Sequence, residues 1–177
     1  MSCGIVRLAL DTCVVRYAVA FSDYVWDCDT ESLSMPSFVH AGWEQQQDLL
    51  ALGPVLRLAR QTGMELVVTE TALAELPPKA YYYGAELSDW WASIKSLRGY
   101  EEPAAVDCAF AAALEMRLLC FLPDAKDRRL LAEAVLERCD AFLTTDRRTI
   151  WRHREALKRL GLRVLRPSEM WHAICSG

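Results

Sequence analysis

The chain opens on a near-continuous apolar run, Gly4 to Leu10, that stops at Asp11, the pattern of a strand buried on both faces of a parallel sheet. Cys13 to Phe21 stays apolar and predicts a first helix. Ser22 to Gly42 then turns polar and aperiodic, with Asp23, Asp27, Asp29, Glu31, Ser32, Ser34 and Pro36. It predicts a long irregular connection, which inside one domain is either mobile or functional. Trp43 to Thr62 returns to helical spacing, with Leu49, Leu50, Val55, Leu56 and Ala59 facing inward and Gly63 closing the helix. Met64 to Val68 predicts a second strand. Thr69 to Ala80 predicts a helix stopped near Pro77-Pro78 by missing donors and ring clashes. Pro103 starts another helix running to about Leu122, apolar all round and so expected in the interior.

The stretch Asp124 to Asp146 organises the rest. Asp124 reads as a helix N-cap with Asp127 at the third position. Leu130, Leu131, Ala134 and Val135 follow Asp127 at i+3, i+4, i+7 and i+8, which sets Asp127 on the buried stripe. Ala141 to Leu143 is a short buried strand ending in Thr144, Thr145 and Asp146. Arg147 to Leu160 predicts a basic helix capped by Gly161, Leu162 to Leu165 a fourth strand, and Pro167 opens a short terminal helix. Strands alternating with helices predict a single domain over residues 1–177. Its expected architecture is a three-layer α/β/α sandwich around a central, mostly parallel sheet of about four strands.

That topology gathers four acids. Crossover helices run antiparallel to the strands they connect, so they begin at the strands' carboxyl edge. Asp11 ends the first strand, and Glu75 is expected in the first turns of the helix after the second. Asp127 opens the helix leading into the third strand, and Asp146 follows that strand directly. All four are expected on one edge, where open α/β sheets place their ligands. Like charges so close do not all stay ionised without a cation. An oxygen-only set, with no His or Cys at matching places, favours Mg²⁺ or Mn²⁺ over zinc. Each acid also has an ordinary reading: Asp11 as turn former, Glu75 as a solvated helix acid, Asp127 as a capping partner, Asp146 as N-cap of the next helix. Glu70 competes with Glu75, which is preferred for its flanking Ala72, Leu73 and Leu76. Asp124 stands beside Asp127, though capping suits it better. Asp140, just before a strand, reads as plain surface.

Composition adds limits. With 53% hydrophobic and 25% charged residues in 177 positions, the chain reads as a globular domain large enough to bury its own core. Seven cysteines without a CxxC pair read as reduced, mostly buried thiols of a cytoplasmic protein, without a zinc site. Asp and Arg residues interrupt both long apolar stretches, so neither a membrane span nor a signal peptide is expected. Net charge is −4, which argues weakly against a general nucleic-acid coat, yet the distribution is uneven. From Arg147 to Arg166 eight Lys or Arg residues face one acid, Glu155. Arg147, Arg148 and Arg152, with Arg128 nearby, form a basic flank suited to a phosphate backbone. Tyr81, Tyr82, Tyr83, Trp90 and Trp91 are candidates for base stacking, core or a subunit contact.

These pieces together resemble the PIN domain, the small metal-dependent nuclease fold of toxin–antitoxin ribonucleases and RNA-processing factors. The matching segments are the apolar strand with Asp11-Thr12, TALAEL around Glu75, DRRLLAEA opening with Asp127, and FLTTD ending in Asp146. The resemblance spans Gly4 to Leu165. It implies a phosphodiester hydrolase acting on RNA through one or two Mg²⁺ or Mn²⁺ ions, with Asp11, Glu75, Asp127 and Asp146 as catalytic metal ligands. It also implies RNA as substrate, an antitoxin or other protein partner, and a homodimer as an assembly. Two other classes compete. An aspartyl-nucleophile phosphatase wants a second Asp two residues after the first, where Cys13 stands. A PIN-like module that binds RNA or protein without cutting is the stronger rival. No GxGxxG or GxxxxGK[ST] occurs, which removes the usual dinucleotide and P-loop readings.

Overall fold

The structure, a computed structural model, describes residues 5–34, 36–76 and 108–176. Four short strands pair in parallel: β1 (Arg7–Leu10), β2 (Glu65–Val67), β3 (Ala141–Leu143) and β4 (Arg163–Leu165), in the spatial order β2-β1-β3-β4. Leu8 stands opposite Leu66 on one side and Ala141 on the other, and Phe142 opposite Val164. Leu8, Ala9 and Leu10, and likewise Ala141, Phe142 and Leu143, are 0% exposed. Successive side chains point to opposite faces, so both faces of the two central strands are covered. That is why both read as unbroken apolar runs. The chain runs outward from β1 to β2, returns past β1 to β3 and continues to β4. Strand order therefore reverses between β1 and β3, the switch point where such sheets open a crevice at the carboxyl ends of the strands.

Among the described residues the helices are α1 (Thr12–Ala20), α2 (Ser22–Asp27), α3 (Pro36–Val39), α4 (Trp43–Thr62), α5 (Glu70–Glu75), α6 (Cys108–Arg117), α7 (Ala125–Leu136), α8 (Arg154–Lys158) and α9 (Pro167–Ser176). Helix α4 ends at Gly63, whose φ of 70° is the left-handed cap that glycine adopts freely. Helix α9 lies along α4, and α7 packs against both α5 and α6. At the amino end of the sheet, Asp140 accepts hydrogen bonds from the amides of Val6 (2.8 Å) and Arg7 (2.9 Å). These bonds hold its carboxyl below the usual carboxylate range. Asp140 is thus a tie between β1 and β3, where the sequence suggested plain surface.

The expected irregular stretch at 22–42 instead folds into α2, a 3-10 turn (Glu31–Ser34) and α3. Tertiary partners explain this. Pro54 lies inside α4 and lacks the N–H that would bond the carbonyl of Leu50. The Tyr24 hydroxyl of α2 donates to that carbonyl instead, at 2.6 Å. Arg57 donates from Nη1 to the carbonyls of Tyr24 (2.8 Å) and Val25 (2.6 Å), closing the carboxyl end of α2. Gly53 lets the two helices approach, since a Cβ there would stand 3.1 Å from the Tyr24 ring and 3.4 Å from Val25 Cα.

Three further expectations change. The basic helix from Arg147 begins late, as turns, then a 3-10 segment at Trp151–His153, then α8, because Asp146 holds the start of the segment in a tight turn. Helix α6 is not interior along its whole surface: Met116 is 78% exposed while Leu114 is buried. Among the described cysteines Cys139 is buried and Cys13 half-buried, whereas Cys28, Cys120 and Cys175 are exposed. The helix through Ala80, the start at Pro103 and the Tyr81–Trp91 aromatics lie outside the described residues beyond Leu76 and before Cys108.

Two buried charged groups were not foreseen. Asp48, on the inner face of α4 and 1% exposed, pairs with Arg166 through Nε (3.0 Å to Oδ2) and Nη2 (3.2 Å to Oδ1). Glu133 of α7, 3% exposed, accepts from the amide of Thr71 (3.0 Å), its hydroxyl (2.8 Å) and Arg129 Nε (3.0 Å). That bond set fixes the amino end of α5 on α7, and α5 carries Glu75.

Candidate functional site

Asp11 leaves β1 as the N-cap residue of α1, but its side chain makes no cap bond. The carboxylate turns instead toward β3. Its Oδ2 accepts from the Thr144 hydroxyl and from the Cys13 thiol, the latter at 3.0 Å. The Asp11 amide bonds the Leu143 carbonyl at 3.0 Å, which carries the β1–β3 pairing to the sheet's edge. Thr144 is 0% exposed, and its oxygen also accepts the Asp146 amide at 2.8 Å. One buried hydroxyl therefore ties Asp11 to Asp146 across the switch point. Burial pushes the Asp11 carboxyl up, Cys13 and Thr144 oppose that, and the charge of Asp146 adds to it.

Asp146 accepts the amides of Arg148 (2.8 Å) and Thr149 (3.1 Å) on Oδ1 and the Thr149 hydroxyl on Oδ2. Asp146 therefore holds a turn and not a helix start, since the N-cap positions of the segments that follow are Ile150 and His153. Asp127, half-buried in the first turn of α7, has its carboxyl raised to about 6. Burial is the largest cause; the Thr149 hydroxyl opposes it, and the charges of Asp124, Asp146 and Asp11 add to the rise. Asp124 itself caps α7 by accepting the Lys126 amide at 2.7 Å.

Glu75 closes α5 and reaches the same edge from the other side. Its Oε2 accepts the Thr12 hydroxyl at 2.7 Å, and Oε1 lies 3.4 Å from Lys126 Nζ. Arg16 donates to its carbonyl at 2.8 Å. Glu70 is exposed in the first turn of α5, after the Thr69 cap, so of the two acids Glu75 is the one that faces Asp11-Thr12. The structure thus brings Asp11, Asp127 and Asp146 within electrostatic reach of one another and joins Glu75 to them through Thr12 and Lys126.

The basic residues divide. Arg128 donates from Nη1 to the carbonyls of Leu122 (2.6 Å) and Pro123 (3.1 Å), securing the turn before α7. Arg147 pairs with Glu44 and lies over the Trp151 ring at 5.9 Å. Arg148 and Arg152 are exposed. The hydroxyls of Thr12, Thr144 and Thr149, the thiol of Cys13 and the Lys126 ammonium are site residues that sequence reasoning missed. Their one signal was adjacency: each lies within three residues of a candidate acid.

The donor set is all oxygen, and the charge of Asp146 raises the cost of ionising both Asp11 and Asp127, which suits a hard divalent cation. Among the described residues, no three His, Cys, Asp or Glu side chains already stand grouped to hold a metal ion. Comparison of the chain with protein-family models, with curated proteins and with solved structures gave no match.

Proposed function

We propose that the chain is a Mg²⁺- or Mn²⁺-dependent endoribonuclease that hydrolyses RNA phosphodiester bonds at the carboxyl edge of the sheet. The observation that carries this reading is the meeting of acids at that edge: the Thr144 hydroxyl ties Asp11 to the Asp146 amide, and Asp127 in the first turn of α7 is near enough for both charges to raise its carboxyl. Acids set together at a sheet's switch point at that energetic cost are more simply read as a cation site than as scaffold. Asp11, Glu75, Asp127 and Asp146 would hold the ion. When bound, it supplies a water acidic enough to attack at neutral pH and a Lewis acid for the scissile phosphate.

The chain's own groups do the rest. Thr144 and Thr149 fix the rotamers of Asp11 and Asp146, so that these ligands need not be ordered when a cation arrives. Exposed Arg148 and Arg152, with Arg147, hold backbone phosphates, and Arg128 adds its charge from the turn it secures. This reading goes with a three-layer α/β/α sandwich forming one domain over residues 1–177 and with a cytoplasmic location. An antitoxin or other protein partner and a homodimer are its assemblies. Among the described residues no helix is long and apolar enough to cross a membrane.

One observation favours a second reading, a catalytically silent PIN-like module that binds RNA or protein. The acids already have partners, Lys126 against Glu75 included, so a lysine and three threonines stand where a cation would act. Incubation of a generic single-stranded RNA with Mg²⁺ or Mn²⁺, against EDTA, separates the two. The enzyme reading expects metal-dependent cleavage that Asp11→Asn, Asp127→Asn and Asp146→Asn each largely abolish. Three variants cutting at the parent rate would move the site elsewhere, and a parent inert with both metals would favour the silent module.

A further inference from the structure

A cavity of about 540 Å³ opens between Tyr17 of α1, the amino end of α4 and the turn after β3. Its walls include Tyr17, Trp43, Glu44, Gln45, Thr145 and Arg147. Thr145 and Arg147 bracket Asp146 in sequence, and Tyr17 lies one helical turn after Cys13, whose thiol bonds Asp11. The cavity and the acid cluster are therefore neighbours on one edge. The volume falls within the roughly 300–1,000 Å³ of small-molecule sites and exceeds what a single ion needs.

We propose that this cavity is a nucleobase subsite that takes one base of the RNA strand next to the cleaved phosphate, with preference for a base bearing an exocyclic amino group. The inference rests on the reading of the chain as an RNA-cutting enzyme. Trp43 is 73% exposed at the first position of a 20-residue helix. Its indole is a large flat apolar face at the rim, the kind of surface on which bases stack irrespective of sequence. In the same wall the Gln45 amide donates to the Tyr17 oxygen, which leaves the amide's carbonyl as an acceptor. Glu44 supplies a carboxylate, and its partner Arg147 bridges the cavity to the acid edge. Gln suits adenine and Glu suits the amino group of cytosine, while uracil has no amino group to give. A bare phosphate is disfavoured inside the cavity, because the carboxylates of Glu44 and Asp48 line it.

The test is binding of adenine-, cytosine- and uracil-only ribohexamers to the full chain in EDTA, by fluorescence anisotropy. The parent should bind the adenine and cytosine oligomers more tightly than the uracil one. Trp43→Ala should lose about tenfold or more in affinity for all three, the loss of one base stack, while Trp43→Phe keeps most of it. Gln45→Leu should narrow the gap between adenine and uracil. Trp43 is exposed, so its replacement leaves the fold intact. Parent-like binding by Trp43→Ala, or no binding by the parent, overturns the subsite. Cleavage with Mn²⁺ is scored on the same preparations. Binding lost in Trp43→Ala with a parent that never cuts keeps the subsite and removes the enzyme reading. Cutting by the parent together with unaltered binding by Trp43→Ala does the reverse.

Discussion

Replacing Asp127 by Asn should make the protein more stable above neutral pH and leave it unchanged in acid. The folded chain raises this carboxyl from its ordinary 3.8 to about 6. The folded state therefore holds the proton more tightly than the unfolded state does. The associated stability is fully present below about pH 4 and is lost as pH rises through about 6. At about 1.4 kcal/mol per unit the shift corresponds to roughly 3 kcal/mol. Asp127 is only half-buried, and solvent screening reduces that to on the order of 1–2 kcal/mol. Asn keeps the shape and is neutral throughout. Urea unfolding followed by tryptophan fluorescence in EDTA should show Asp127→Asn ahead of the parent by that amount at pH 8 and level with it at pH 4. Millimolar Mg²⁺ should then close or reverse the gap, because only the parent keeps the full ligand set. A variant no more stable than the parent at pH 8, or an advantage independent of pH, would refute the reasoning.

Other consequences follow from the same contacts. Asp48→Ala leaves Arg166 buried without its partner and should cost about 3–5 kcal/mol in urea unfolding, whereas joint replacement by Leu and Met should be close to neutral. Tyr24→Phe removes the donor that replaces the missing Pro54 amide, and should cost about 1–3 kcal/mol; no loss would mean that water serves the Leu50 carbonyl equally well. Changing Arg147, Arg148 and Arg152 together to Gln should weaken RNA binding alike across sequences. The salt slope should become shallower by about 2, at roughly 0.7 per phosphate contact on a single strand. An unchanged slope would mean that this flank is only a solvated surface.

What the sequence disclosed, and what it hid, follows from where the partners lie. β1 and β3 were legible because strands covered on both faces must be apolar at every position, which Leu8 to Leu10 and Ala141 to Leu143 are. Asp11, Asp127 and Asp146 were legible because parallel topology sends strand ends and helix starts to one edge, whereas Glu75 closes its helix and reaches that edge through Thr12. Helix α2 was not, since Ser22–Asp27 has little period of its own and is held by Tyr24 on Leu50 and by Arg57 on the Tyr24 and Val25 carbonyls. Asp48 gave no signal because its partner Arg166 is 118 residues away. The hydroxyls of Thr12, Thr144 and Thr149 read as ordinary turn residues, and only burial and pairing distinguish them. The late start of α8 reflects the competition of the Asp146 side chain with the helix for the amides of Arg148 and Thr149.

The claim that Asp11, Glu75, Asp127 and Asp146 form one divalent-cation site is tested most directly by Mn²⁺ titration of the pure protein in a calorimeter. The parent should bind one or two ions, and Asp11→Asn, Asp127→Asn and Asp146→Asn should each lose that binding while remaining folded. A parent that binds no Mn²⁺, or variants that bind it as the parent does, would contradict the assignment.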